Sequence, residues 1–201
     1  MFESFENTFQ IVILLICAGI AIYRAVVNRS RSWMILAFFY ESWLLGDIYW
    51  LACLIFHGHT PEISFISDLS WFASYIFLYL LLGESVSPDK ISLKHALPWL
   101  SFVFTGAMAI FYMQWGEVMN NLIYAVLMGL LIFSAISRLI DGKLHQLCVT
   151  VLVFCFLEYV LWTVSCFDES PVMNNLYYLS DILLTLCLPF FLMTTGKAVK
   201  A

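Results

Sequence analysis

Five acidic side chains, Glu41, Asp47, Asp68, Glu158 and Asp181, stand inside apolar stretches, and no basic residue joins them there. A carboxyl group at the centre of a bilayer-spanning helix costs about 2.5–3.5 kcal/mol on insertion scales. Several such groups are too costly to face lipid. They are expected to face each other, a water-filled chamber or a bound solute. Carboxylates clustered in a low dielectric do not all ionise together. A site built from them can therefore exchange protons or cations during a conformational cycle.

Aromatic residues keep company with most of these acids. At helical spacing Asp68 shares a stripe with Trp71, Tyr75, Tyr79 and Leu82, and Asp47 has Tyr40, Trp43 and Trp50 on its side. Glu158 is followed by Trp162 and Ser165, and Asp181 has Tyr177, Tyr178 and Thr185 close by. A carboxylate beside an aromatic face suits an organic cation or a hydrogen-bonding ring. Trp50, Trp71, Tyr75 and Trp162 are the expected pocket lining. The plainer alternative makes the aromatic stripes packing surface and the Tyr hydroxyls partners for the acids. A divalent metal is a competing occupant, since hard oxygen ligands suit Mg²⁺, Ca²⁺ or Mn²⁺. No two of these acids stand at i, i+3 or i+4, so a metal site needs several helices.

His57, His59 and Glu62 crowd one loop, where they read as solvated, with metal binding or pH sensing as the alternative. His95 and His145 fall at helix ends. The six cysteines, Cys17, Cys53, Cys148, Cys155, Cys166 and Cys187, read as small packing residues without zinc spacing or a disulfide framework.

The elements that position these residues are all helical. The 201-residue chain is 63% hydrophobic and 11% charged, with a mean hydropathy of +0.92. A soluble domain is about 45–50% apolar and about 25% charged. The departures indicate a polytopic membrane protein forming a single seven-helix domain over 1–201. A helix needs about 20 apolar residues to cross the hydrocarbon core. Seven spans are read at 9–28, 33–56, 63–83, 95–115, 119–140, 145–166 and 174–195. Trp33, Trp99 and Trp115 read as interface anchors, Pro98 as an ordinary first-turn residue and Pro189 as a hinge inside helix seven. The start, with Glu3 and Glu6 and no Lys or Arg, lacks the basic opening of a secretory signal.

Orientation follows from the nine Lys and Arg. Arg24, Arg29, Arg31, Lys90, Lys94, Arg138, Lys143, Lys197 and Lys200 all fall on one side, which the positive-inside rule makes cytoplasmic. Glu62, Glu117, Asp168 and Glu169 mark the other side. The N-terminus is expected outside and the C-terminus inside, in the plasma (cytoplasmic) membrane. Basic residues this scattered do not support nucleic-acid binding.

An internal repeat is also legible. Phe65-Ile66-Ser67-Asp68-Leu69 matches Tyr178-Leu179-Ser180-Asp181-Ile182. Phe77, Gly83 and Val86 then meet Phe190, Gly196 and Val199, while Gly19, Ile22 and Ala25 meet Gly129, Ile132 and Ala135. Trp50 meets Trp162. This yields two parallel three-helix units, 1–86 and 119–199, joined by a linker helix at 95–115. Such repeats place polar sites between the halves. Asp68 would then face Asp181, with Asp47 and Glu158 as a second pair.

The 3+1+3 arrangement with an outside N-terminus resembles the sugar-transporting SWEET proteins in architecture and, more loosely, the opsin and receptor bundles. The resemblance stops at architecture. There is no Pro-Gln, and Pro61, Pro88 and Pro171 read as loop residues. Helix seven has no lysine before Lys197, which excludes a retinal Schiff base; no other cofactor is indicated. No histidine lies mid-span, unlike the ceramidase-related hydrolases.

The first functional reading is a small secondary transporter, proton- or cation-coupled, for a small polar or cationic solute. Asp68 and Asp181 lead as binding or coupling residues, then Asp47 and Glu158, with Glu41 as a proton relay. The alternative is a seven-helix receptor-like sensor signalling to a separate cytoplasmic partner. The third is an intramembrane metal-dependent hydrolase. Expected partners are the lipid bilayer and the solute, with self-association left open.

Overall fold

The computed structural model describes residues 2–61, 64–84, 95–142, 144–167 and 171–199, the side chains of 1–4 and 171–174 aside. The helices are α1 (Phe2–Asn28), α2 (Arg31–His57), α3 (Phe65–Glu84), α4 (Leu100–Tyr112), α5 (Val118–Ile140), α6 (His145–Ser165) and α7 (Pro171–Ala198). Single 3₁₀ turns, Leu97–Trp99 and Met113–Trp115, flank α4. No strand occurs among the described residues.

Six of these helical segments, all but α2, are long and apolar enough to cross a membrane. The chain thus has membrane-helical character. At 27 residues α2 is as long as α1. It carries Glu41 and Asp47 together with Trp33, Tyr40, Trp43, Tyr49 and Trp50, which dilute its hydropathy.

The packing order forms a ring. α1 lies against α2, α2 against α3, α3 against α5, α5 against α6, α6 against α7, and α7 against α1. α4 stands outside the ring on α5 and reaches α6 through Tyr112, whose hydroxyl lies 2.7 Å from Thr163 Oγ1. Between helices in lipid, close packing rather than water exclusion supplies the attraction. An aromatic cluster provides it here: Phe39 lies 6.0 Å from Phe154 and 5.3 Å from Phe191, centroid to centroid, and Trp43 lies 5.4 Å from Phe154.

Glycine sets the closest approach of α4 to α5. A Cβ at Gly129 would lie 2.9 Å from Phe102 and 3.0 Å from Thr105 Oγ1. Ser101 Oγ also donates to the Gly129 carbonyl at 3.2 Å. Gly129→Ala should therefore push α4 outward and cost about 1–3 kcal/mol, the usual range for overpacking. The expected result is a lower thermal midpoint in detergent; an unchanged midpoint contradicts the close contact.

Several expectations need correction. α1 starts at Phe2 rather than near residue 9, bringing two more turns into the bundle. Acidic residues at a helix N-terminus suit the helix dipole, which favours this earlier start. Trp33 is not an interface anchor: it is 2% exposed, and the Arg24 guanidinium stacks on it at 4.7 Å. Arg138 closes the fifth span from inside: it is buried in the last turn of α5 and donates through Nη1 to the Ser134 carbonyl at 3.1 Å. Pro171 opens α7 instead of lying in a loop, a position where its missing N–H loses no helical bond. Pro189, by contrast, lies inside α7 as expected. Glu62, Ile63, Val86, Pro88, Lys90, Lys94, Lys143, Asp168, Glu169 and Lys200 lie outside the described residues.

Candidate functional site

A cavity of about 280 Å³ lies within the ring, walled by residues of α1, α2, α3, α6 and α7 and by Glu117 just before α5. Asp47, Asp68, Glu158 and Asp181 all line it, as do Trp43, Trp50, Trp71, Tyr75, Trp162 and Tyr177. No Lys or Arg does.

Asp47 sits on the inner face of α2. Trp71 Nε1 donates to its Oδ1 at 3.0 Å, while Oδ2 is buried without a partner. The indole reaches it because Gly46 presents no side chain: a Cβ there would lie 2.7 Å from Trp71 Nε1. Ser67 Oγ donates to the Gly46 carbonyl at 3.2 Å, pinning α3 against α2 at this level. Glu158 enters from α6. Tyr75 Oη donates to its Oε2 at 2.8 Å, and Oε1 is buried without a partner. Asp47 lies within electrostatic range of both Glu158 and Asp181.

Asp181 makes a connection that the sequence reading missed. It hydrogen-bonds to Glu6 and Gln10 of α1. A hydrogen bond between two carboxyl groups needs a proton on one of them. Glu6 and Gln10 stand four residues apart, so both fall on the face of α1 turned to α7. That spacing was a usable signal. Asn7 and Ser64 also line the cavity unforeseen, while Ser165 joins it from the Glu158 face as its spacing suggests. Glu117 had no sequence signal; it follows Gly116 with both residues at positive φ, 50° and 99° respectively.

Asp68 lines the same cavity as Asp181, and its hydrogen bonds go elsewhere. It stands in the first turn of α3, and its Oδ2 accepts from Ser64 Oγ and Asn120 Nδ2, each at 2.8 Å. Its acidic neighbour is Glu117. The central group is therefore Asp47, Glu158 and Asp181, with Asp68 set to one side. Glu41 does not converge at all. It precedes Asp47 by six residues, about 240° round the helix, and is exposed on the outer face of α2.

The aromatic walls are fixed by their own contacts. Trp162 stacks on Tyr124 with centroids 4.9 Å apart and donates through Nε1 to Asn121 Oδ1 at 3.2 Å. Trp50 and Trp71 lie 5.9 Å apart, and Trp43 meets Tyr75 edge-on at 5.9 Å. Tyr40 serves the core instead, donating to the Leu188 carbonyl at 2.8 Å. His57 and His59 face each other at 6.0 Å and take no part in the cavity. Among the described residues, no group of three or more His, Cys, Asp or Glu side chains is disposed to hold a metal ion.

Chemically the chamber offers clustered carboxyl groups, aromatic faces and two buried carboxyl oxygens, on Asp47 and Glu158, that lack donors. Buried polar atoms are nearly always partnered, so the unpartnered pair marks where a donor belongs. Tyr75→Phe would remove the hydrogen bond that Glu158 accepts. Stranding a buried acceptor costs about 1–3 kcal/mol. The expected result is a clear fall in thermal midpoint that shrinks when Glu158→Leu, which removes the acceptor, is already present. Equal falls in both backgrounds contradict the coupling.

Fold and site together define a helical bundle of membrane character built round an acidic, aromatic-walled chamber. No family model, curated protein or solved structure matches this chain.

Proposed function

We propose that this protein is a small secondary transporter whose chamber binds an organic cation. One observation carries the reading. Asp47 Oδ2 and Glu158 Oε1 are buried and unpartnered in a cavity with Trp and Tyr walls and, among the described residues, no basic side chain. A protonated amine with an apolar or aromatic body supplies what is missing: N–H donors for the oxygens, charge for the field, and a surface for cation–π contact. A volume of about 280 Å³ favours a compact solute. The carboxyl pair of Glu6 and Asp181 couples the cycle, because moving its shared proton changes the contact between α1 and α7.

In this reading all seven helices cross the plasma membrane, with the N-terminus outside and the C-terminus inside. The two three-helix units are related by a pseudo-two-fold axis along the membrane normal. The ring supports this: exchanging α1, α2 and α3 for α5, α6 and α7 turns the contact of α3 with α5 into that of α7 with α1. The cavity then lies between the halves, where parallel repeats place their sites.

Counterflow in proteoliposomes tests the function. Vesicles preloaded with a primary or quaternary amine should accumulate the labelled amine, and an imposed pH gradient should change the rate. Saturable binding without flux would make the protein a sensor, and a solute recovered chemically altered would make the chamber an active site.

A further inference from the structure

At the end of the bundle where α1 and α7 finish and α6 begins, a second depression has a different chemistry. This groove, about 730 Å³, is lined by Arg24, His145, Lys197 and an apolar floor of Val149, Phe190 and Met193. Its two threonines contribute little polarity. Thr150 Oγ1 donates back to the Gln146 carbonyl and Thr194 Oγ1 to the Phe190 carbonyl, each at 2.9 Å. Neither Arg24 nor Lys197 has a carboxylate partner among the described residues.

Arg24 is held in place nonetheless. Its guanidinium lies over the buried Trp33 ring at 4.7 Å. Nη1 would lie 3.2 Å from a Cβ at Gly196, so the glycine leaves the room that Arg24 occupies. The result is a fixed cation that shares an apolar-lined groove with a second cation and a histidine. A soluble anion would satisfy the charges and leave the floor bare. A zwitterionic lipid would cover the floor and bring its own cation to the basic cluster.

We propose that this groove is a binding site for an anionic phospholipid, its phosphate between Arg24 and Lys197 and an acyl chain along Val149, Phe190 and Met193. The site stands apart from the acidic chamber and does not depend on the transport reading. Each Lys or Arg near a membrane surface strengthens attraction to anionic lipid, so two of them should give roughly tenfold or greater preference over a zwitterionic lipid with identical chains.

Native mass spectrometry of the purified full-length chain provides the test, with phosphatidylglycerol, phosphatidylcholine of matched chains, and glycerol phosphate as probes. Selective retention of phosphatidylglycerol, lost in the Arg24→Gln/Lys197→Gln double variant and kept in Arg24→Lys/Lys197→Arg, is expected. The conservative pair guards against a folding defect, as does a thermal midpoint unchanged from the parent in both variants. Equal retention of the two lipids overturns the proposal, as does selectivity unchanged in the glutamine variant. Binding of glycerol phosphate as tight as that of the lipid also overturns it, since the floor would then contribute nothing.

Discussion

Glu158→Gln should weaken binding of an organic cation by roughly a hundredfold or more while leaving the bundle folded. Truncating or neutralising one partner of a buried, hydrogen-bonded charge pair typically costs about 2–5 kcal/mol, and about 1.4 kcal/mol is tenfold in affinity. The substitution is nearly isosteric. A glutamine carbonyl oxygen can still accept from Tyr75 Oη, which now donates to Oε2 at 2.8 Å. What disappears is the charge, together with acceptance at Oε1, the buried oxygen that has no partner of its own. Asp47→Asn makes the matching case: the amide oxygen can accept from Trp71 Nε1, and Oδ2 is lost as an acceptor. The two acids lie in one electrostatic group. Their double variant should therefore lose less than the product of the single losses, as expected for groups that share one ligand. Labelled-amine uptake into vesicles, compared at equal amounts of folded protein, measures all three. Uptake in Glu158→Gln within threefold of the parent would remove this residue from the site.

Gly46→Ala should be the most damaging single methyl in the protein. Its Cβ would lie 2.7 Å from Trp71 Nε1 and 3.0 Å from Cδ1, closer than real Cβ contacts come. The indole cannot yield cheaply. It packs beside Trp50 at 5.9 Å and supplies the hydrogen bond that Asp47 accepts. Displacing it combines overpacking, about 1–3 kcal/mol, with a stranded buried carboxyl, about 1–3 kcal/mol or more. For a chain of this size each kcal/mol is about 2–4 °C. Together the two costs amount to about 2–6 kcal/mol, so the expected fall in midpoint is about 4–24 °C, accompanied by a changed tryptophan emission. Trp71→Phe separates the two contributions, since it keeps a ring in place but loses the N–H. A Gly46→Ala protein that melts like the parent would show that α2 and α3 are not this close.

Parts of this arrangement were legible in the sequence for physical reasons. Composition and apolar length identify membrane helices without reference to tertiary contacts, because a span must satisfy its own backbone. The insertion cost of a carboxyl singles out Asp47, Asp68, Glu158 and Asp181, and helical spacing ties Trp71 and Tyr75 to them. That cost gives no direction, however. It cannot say that Glu41, about two-thirds of a turn round α2 from Asp47, lies on the outer face. Pairings are also beyond a linear pattern. The repeat set Asp68 opposite Asp181, whereas Asp181 meets Glu6 and Gln10, and Asp68 meets Ser64 and Asn120. Glu6 was overlooked because a span search starts where apolar residues dominate, and α1 begins earlier with polar ones. Trp33 departs from its expected place for the converse reason: a residue that suits an interface by type is buried here beneath a guanidinium.

The most direct test of the central claim compares a protonated aromatic amine with its uncharged isostere. Each is titrated into the purified protein while the emission of Trp43, Trp50, Trp71 and Trp162 on the chamber wall is followed. Saturable quenching by the amine, at least tenfold tighter than by the isostere and abolished in the Asp47→Asn/Glu158→Gln variant, is the predicted result. Equal response to both compounds, or quenching that survives the double variant, would mean that the carboxylates do not receive a cation.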